Sequence, residues 1–393
     1  MALADTGFTV EAVCPCRHPL QKTSSVRRIH NYDSSVPAAS FADAIALSSP
    51  DLLIPGDEYA ICQVYKLYNQ ARQRGESGGP VCALIERSVG PSESFPIVSA
   101  RAPLMRLAEE EGIRVPKTAV VRDVTELRKC CERFLFPLAL KADGTSSGEG
   151  VRIVRTIDEA EGAFGSLESP PSVLRAVKRA LIDQDMSLIT PVLLRKRSRI
   201  NAQEFIEGRD ATSLVACWKG QVLAHLQFEV LKKQHRNGPA SVMRRIENRD
   251  MSAATSKIVN RLRLSGLHGF DFLLEKQTGS PCLIEMNARP TQVGHLRLGA
   301  GHDLPAALYA QVTGTTLPEA PKLTTNDTIA LFPQEWIRNP ASDFLRSAYH
   351  DVPWEEPELM REGARKHRNW SAWLAGHRWV TSFKPERIPP ADD

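Results

Sequence analysis

Three polar side chains close an apolar run in the segment LIEMNARPTQ: Glu285, Asn287 and Arg289 fall within five positions. Side chains of a β-strand alternate between faces, so Glu285 and Asn287 project together while Met286 points away. Asp271 lies in the preceding strand-like run GFDFLLE, and a short antiparallel hairpin over the turn KQTGSP brings its carboxylate beside Glu285. Two carboxylates and an amide carbonyl, with no Cys or His among them, form a hard oxygen set. Such a set suits Mg2+ or Mn2+ carried by nucleotide phosphates far better than zinc. Without a cation the two acids repel, and one must take up a proton. The bland alternative is a solvent-facing hairpin with scattered polar residues. The flanking runs FDFLL and CLI are too apolar for that, so the acids are expected to line a cleft. Arg289 follows just before Pro290 ends the pairing, where its guanidinium can fork onto phosphate or acyl-phosphate oxygens.

A second chemical segment is FPLALKADGTSSGEGVRIV. Its Gly/Ser loop, Asp143 to Gly150, offers backbone N–H groups and little bulk, which closing over a polyphosphate requires. The loop lacks the GxxxxGK[ST] pattern and opens no helix, so it is neither a Walker loop nor a dinucleotide fingerprint. Lys141 ends the strand before it, as a point charge for phosphate. The fragment CPCRH, with Cys14, Cys16 and His18 alternating, has no fourth ligand at a zinc-like spacing; reduced thiols in a turn are the better reading. The basic run from Arg195 to Arg199 reads as a solvated loop.

These groups need elements to hold them. GFTVEAVCP reads as a strand, FADAIALSSPDLLIPGDE as a helix followed by a strand, and IERSVG, the helix-like ARAPLMRLAEEEGI and the strand KTAVV follow. Alternating strands and helices indicate a parallel-sheet α/β domain, with a first helix at Ala2 where a strand is usual. From FPLALK onward the texture changes to antiparallel hairpins. Thr156-Ile-Asp-Glu159 starts a helix with a capping box. INAQEFIEG and SLVACWKGQVLAHLQFEV are further strands, SAATSKIVNRLRL is a helix, and another helix begins near Asp303. Five of the six tryptophans lie in the last seventy or so residues, best read as a helix packing a Trp face onto the body.

The chain has 393 residues, beyond the size at which one core keeps growing, so several domains are expected. A net charge of +4 is too near balance to argue for nucleic acid, and none is expected as a partner. No apolar run approaches a membrane span, and MALADTGFTVEAV lacks the pattern of a signal peptide, so a cytoplasmic protein with no membrane contact is expected.

Taken in order, FPLALKADGTSSGEGV, QEFIEGRD, GFDFLLE and LIEMNAR resemble the ATP-grasp superfamily over roughly residues 101–301. The resemblance implies an α/β and α+β multidomain fold. A Rossmann-like N-terminal domain (1–97) precedes a small lid lobe (98–206), a large lobe with the metal site (207–322) and a Trp-rich C-terminal extension (323–393). It implies ATP with Mg2+ or Mn2+ as cofactors. Arg101 and Lys141 take the phosphate-binding positions, and Ser146, Ser147 and Gly148 belong to the lid. Gln203, Glu204, Phe205 and Ile206 form the hinge strand, where the backbones of Glu204 and Ile206 read the adenine edge. Asp210 holds the ribose, Asp271, Glu285 and Asn287 hold the metal, and Arg289 and Lys141 are catalytic. The chain departs from the biotin-carboxylase pattern at Gly294, where a Glu precedes His295 in that branch. It departs from the D-alanine-ligase pattern at Gly269, where that branch has an Arg. The chain looks more like the broad group of ligases that join a small-molecule carboxylate to an amine through an acyl phosphate. The alternatives are a nucleotide-binding scaffold without turnover and an ATP-dependent phosphotransferase. The acceptor is expected between the N-terminal domain and the metal strand, near Asp57 and Glu58, with Lys232, His235, Arg236, His295 and Arg297 as further candidates. The C-terminal segment either caps the cleft or forms an oligomer contact, as in a homodimer.

Overall fold

The computed structural model describes residues 1–16, 18–144, 150–169, 198–235 and 238–365. Ser146, Ser147, Gly148, Arg236, most of the basic run from Arg195, and Trp370, Trp373 and Trp379 lie outside the described residues. Two antiparallel-rich sheets and a helical N-terminal unit enclose one cleft.

The small sheet contains β3 (Thr118–Val121), β4 (Leu138–Ala142), β5 (Val151–Val154) and β6 (Ile200–Glu204), in the order β3-β6-β4-β5. Its central strands are buried end to end, and Leu138, Leu140 and Ile200 are essentially inaccessible. Helices Val124–Phe134 and Ile157–Glu168 pack on it through Leu127, Phe134, Ala160 and Phe164. Both start where a short polar side chain caps the orphan N–H groups: Asp123 accepts from Glu126 N at 2.8 Å, and Thr156 from Glu159 N at 3.2 Å. The reach-back from Glu159 goes to the N–H of Arg155, one residue before the cap.

The large sheet has seven strands in the order β11-β10-β7-β8-β9-β12-β13. They are β7 (Gly208–Trp218), β8 (Gln221–Lys233), β9 (Ala240–Arg245), β10 (Gly266–Glu275), β11 (Pro281–Asn287), β12 (Thr328–Leu331) and β13 (Tyr349–Asp351). β7 is covered on both faces and is buried without a break from Ala211 to Cys217. Helix Arg249–Arg261 buries Met251, Ile258 and Val259 against Phe270 and Phe272 on one face. Leu304 and Leu308 of helix Leu304–Thr313 pack with Leu226 and Leu214 on the other. Two strands of the expected C-terminal extension, β12 and β13, lengthen this sheet, and Trp336 is buried beside it while Trp354 stays half exposed.

The N-terminal unit is less sheet-like than its sequence suggests. Among the described residues only β1 (Glu11–Cys14) and β2 (Arg28–Asn31) pair, in parallel, behind a short helix at Ala2–Asp5. The expected strand DLLIP runs without a ladder partner. Leu53 gives its N–H to the Ser88 hydroxyl at 2.9 Å instead, and Leu52 and Ile54 pack on the opposite core from Leu53. IERSVG belongs to helix Pro80–Val89, apart from its last residue, Gly90, which caps that helix. Helix Glu58–Gln73 buries Ile61, Val64, Leu67 and Tyr68 at helical spacing, which fixes its first turn beside β11. Cys14 is buried at the end of β1, and His18 caps the turn Pro19–Lys22 by accepting from Leu20 N at 3.2 Å.

Helix Pro80–Val89 and β10 touch at Gly266. Its φ is +94°, and a Cβ there would stand 2.4 Å from the Ser88 carbonyl oxygen. Gly266→Ala is expected to destabilise the chain by about 1–3 kcal/mol through clash and backbone strain. Urea unfolding checks this, with an unchanged midpoint as the contrary result.

Candidate functional site

The β10–β11 hairpin builds the centre of the site. Asp271 is paired with Glu285 and Gly269 with Asn287 in antiparallel register, so the three oxygen-bearing side chains share one face. Directly opposed residues in such a ladder have Cβ atoms about 4.5–5.5 Å apart, close enough for strong charge coupling. The register slips immediately after this pair, at Ile284, a bulge that turns the strand end toward the cleft. Gly269 is required by packing: a Cβ would lie 2.6 Å from Thr291 Cγ2, where the chain folds back over the strand.

Burial and the neighbouring Glu285 carboxylate push the Asp271 carboxyl up to about 6. The Asn287 amide donates to Asp271 Oδ2 at 3.0 Å, and Arg289 donates to Asn287 Oδ1 at 3.3 Å. Arg101, from the first turn of helix Arg101–Glu110, reaches Glu285 Oε1 at 2.7 Å and Asp143 Oδ1 at 3.2 Å. Lys141 is buried below them on β4. Desolvation, with the Arg101 guanidinium adding to it, lowers its ammonium to about 8. Glu58 stands 3.8 Å from Arg289 Nε, and burial raises its carboxyl above the usual range.

The other end of the cleft is the β6–β7 connection. Gln203 is opposed to Ala139 on the face that also carries Lys141, and its buried side chain donates to Thr118 Oγ1 at 3.0 Å. Glu204 gives its N–H to the Lys117 carbonyl at 2.9 Å. Ile206 follows β6, and its N–H makes no hydrogen bond among the described residues. Asp210 is ion-paired with Lys233 at 2.8 Å.

Every nucleotide- and metal-site candidate within the described residues borders a single cleft of ≈ 590 Å³: Arg101, Lys141, Gln203 to Ile206, Asp210, Asp271, Glu285, Asn287 and Arg289. Some acceptor candidates do not reach it. Asp57 caps helix Glu58–Gln73 by accepting from Ala60 N at 2.7 Å. His295 is held by Asp351 at 2.9 Å, and Arg297 donates to the Pro321 carbonyl at 2.7 Å. Neither they nor Lys232 and His235 line the cleft, whereas Glu58 does. Sequence reasoning missed Asp143 and Lys233 in the cleft, and Asn201, which supports Asp143 from beside it. Asp143 carries a readable signal, since it stands two residues beyond Lys141 on the same strand line.

Among the described residues no three His, Cys, Asp or Glu side chains converge. Two carboxylates and one amide are a thin set for a resident metal, but they fit Mg2+ or Mn2+ arriving with phosphate oxygens that complete the shell.

The raised pKa of Asp271 has a stability consequence. The folded chain holds this proton more tightly than the unfolded chain, so its contribution to stability falls as pH rises from 3.8 to about 6. Above that window the penalty is complete. Without divalent cations, Asp271→Asn is therefore expected to gain about 1–3 kcal/mol at about pH 7.5 and nothing below about pH 4. Unfolding curves at both pH values test this, and a gain that does not change with pH would contradict it.

The comparisons with known proteins agree with this geometry. A family model of the ATP-grasp domain matches residues 190–293. A formate-dependent phosphoribosylglycinamide formyltransferase of Ignicoccus hospitalis is 26% identical over 242 residues, 58% of this chain and 54% of that protein. A phosphoribosylamine–glycine ligase of Ralstonia nicotianae is 27% identical over 116 residues, 30% of this chain and 23% of that protein. The chain thus spans about half or less of these curated relatives. Among solved structures, the biotin carboxylase domain of Hydrogenobacter thermophilus 2-oxoglutarate carboxylase has a TM-score of 0.57 at 15% identity, covering 80% of this chain and 66% of that one. An N5-carboxyaminoimidazole synthetase of Staphylococcus aureus has a TM-score of 0.54 at 13% identity, covering 81% and 75%. At such identities the likeness concerns the fold. Residues 190–293 thus match an ATP-grasp domain, and the described residues share the fold of these solved structures.

Proposed function

We propose that this chain is an ATP-dependent, ADP-forming ligase that activates a small-molecule carboxylate as an acyl phosphate and couples it to an amine. The observation that carries the proposal is the opposed Asp271–Glu285 pair with Asn287, surrounded by Lys141, Arg101 and Arg289 in one cleft. Supporting it, two relatives are named as a formate-dependent formyltransferase and an amine–glycine ligase, and the Hydrogenobacter thermophilus domain was solved with MgADP and bicarbonate.

In this reading the nucleotide lies with its base against the β6–β7 connection and its phosphates toward Lys141 and Arg101. A divalent cation held by Asp271, Glu285 and Asn287 would neutralise phosphate charge. A carboxylate oxygen of the first substrate attacks the γ-phosphorus, the bond to the β-phosphate oxygen breaks, and ADP leaves. Arg289 and Lys141 hold the charge spread over the transferred group. The amine nitrogen then attacks the acyl carbon, the C–O bond to phosphate breaks, and the nitrogen gives up a proton. Glu58, only loosely paired with Arg289, would hold the acceptor's ammonium form and take the proton whose loss frees the nitrogen for attack.

Glu285→Gln and Asn287→Ala are expected to lower turnover by at least about a hundredfold while the fold survives. Release of ADP over a panel of carboxylates with amines measures it, and near-normal rates in both variants would sink the metal assignment. Hydroxylamine added in place of the amine should trap a hydroxamate. ATP binding with no ADP release from any substrate pair would favour the scaffold reading, and phosphorylated product without hydroxamate would favour a phosphotransferase. ADP affinity should fall as pH rises through about 8, where free Lys141 loses its charge, and Lys141→Ala should flatten that profile.

A further inference from the structure

All three prospective metal ligands are engaged by the chain itself. Glu285 accepts from Arg101, Asn287 Oδ1 accepts from Arg289, and Asp271 accepts from the Asn287 amide. Two guanidiniums thus stand where a cation's charge would otherwise be needed. The Arg101 contact is the tighter of the two and spans the cleft. One nitrogen meets Glu285 on the large sheet at 2.7 Å, the other Asp143 on the small-sheet side at 3.2 Å.

Arg101 is aimed rather than loose. Only 8% of its side chain is exposed, and its Nε is buried with no hydrogen-bond partner, so its position rests on the two terminal nitrogens. Asp143 is itself fixed: Asn201, fully buried on β6, donates to the same Oδ1 at 2.9 Å, and the Asp143 N–H donates to the Arg199 carbonyl at 2.9 Å. Asp143 touches nothing else in the acid cluster and is not among the oxygen set on β10 and β11.

We propose that Asp143, braced by Asn201, is a positioning residue that holds Arg101 across the cleft, where the guanidinium occupies Glu285 until nucleotide phosphate draws it away. Asp143 keeps its hold in both situations, so Arg101 swings about an anchored end instead of leaving the site. The cleft then refuses a bare divalent cation and admits one together with a nucleotide, because the group that blocks Glu285 is the one that phosphate removes. This rests on the nucleotide reading above and adds an order of events to it.

Calorimetric titration of the full chain with Mn2+ alone, and with ADP in the presence of Mn2+, tests the idea without turnover. Wild type is expected to bind Mn2+ alone at least about tenfold more weakly than with ADP. Arg101→Ala should bind Mn2+ alone several-fold more tightly than wild type while losing ADP affinity, a gain that damage to the fold would not produce. Asp143→Asn should weaken ADP about tenfold by breaking a charge-assisted pair, and Asp143→Glu should restore most of it. If ADP binds wild type normally, but Arg101→Ala leaves Mn2+ affinity unchanged or Asp143→Asn binds ADP like wild type, this inference falls alone. If wild type binds no ADP, the nucleotide reading falls and takes the inference with it.

Discussion

Two carboxylates forced face to face in a half-buried hairpin set the terms for the rest of this molecule. The β10–β11 register opposes Asp271 to Glu285, and removal from water makes their mutual repulsion expensive. A chain seeking stability alone would place apolar residues here, as it does one position away at Phe270 and Phe272. The acids persist only because cations arrive from elsewhere: Arg101 from the helix before the small sheet, Lys141 from β4, and Arg289 from the end of β11 itself. The two sheets and the N-terminal unit are therefore bound together by a charge problem as well as by apolar packing.

Each cation is in turn adjusted by its neighbours. Lys141 sits deep enough that its charge is only marginally favoured, so it gains most when an anion enters. Arg289 makes long contacts to Asn287 and Glu58, geometry that leaves it ready to take better partners. The β6–β7 end of the cleft has the opposite character. Gln203 is held by its bond to Thr118 Oγ1, and the residues that border the cleft beside it, Phe205 and Ile206, are apolar.

The features most legible in the sequence are those whose partners are near in the chain. The hairpin could be read because the apolar runs FDFLL and CLI flank a short turn, but an unbroken register would oppose Asp271 to Ile284, and the bulge at Ile284 is what brings Glu285 opposite it. The caps at Thr156 and Asp303 are local as well. DLLIP could not be read, because five apolar residues describe a strand and an unpaired packed segment equally well, and Ser88 decides between them from 35 residues away. Asp143 and Arg101 lie 42 residues apart, with no shared periodicity to announce their pairing. Lys233, not Lys232, reaches the cleft because the β8–β9 register shifts on both sides of Lys232, which resets the alternation that sequence reading assumes. β12 and β13 escaped notice for a similar reason: short edge strands carry little pattern of their own.

Glu356 offers a last consequence. Its carboxylate accepts from the hydroxyls of Thr23, Ser24 and Ser25 and from the Ser24 N–H, partners more than 330 residues earlier. The loop between β1 and β2 is therefore completed by a residue made after both sheets. Until Glu356 has been made, the Thr23, Ser24 and Ser25 hydroxyls have only water to donate to, although units of a chain generally settle in the order they emerge. Shortening the chain before Glu356 would therefore be felt first at Thr23, Ser24 and Ser25.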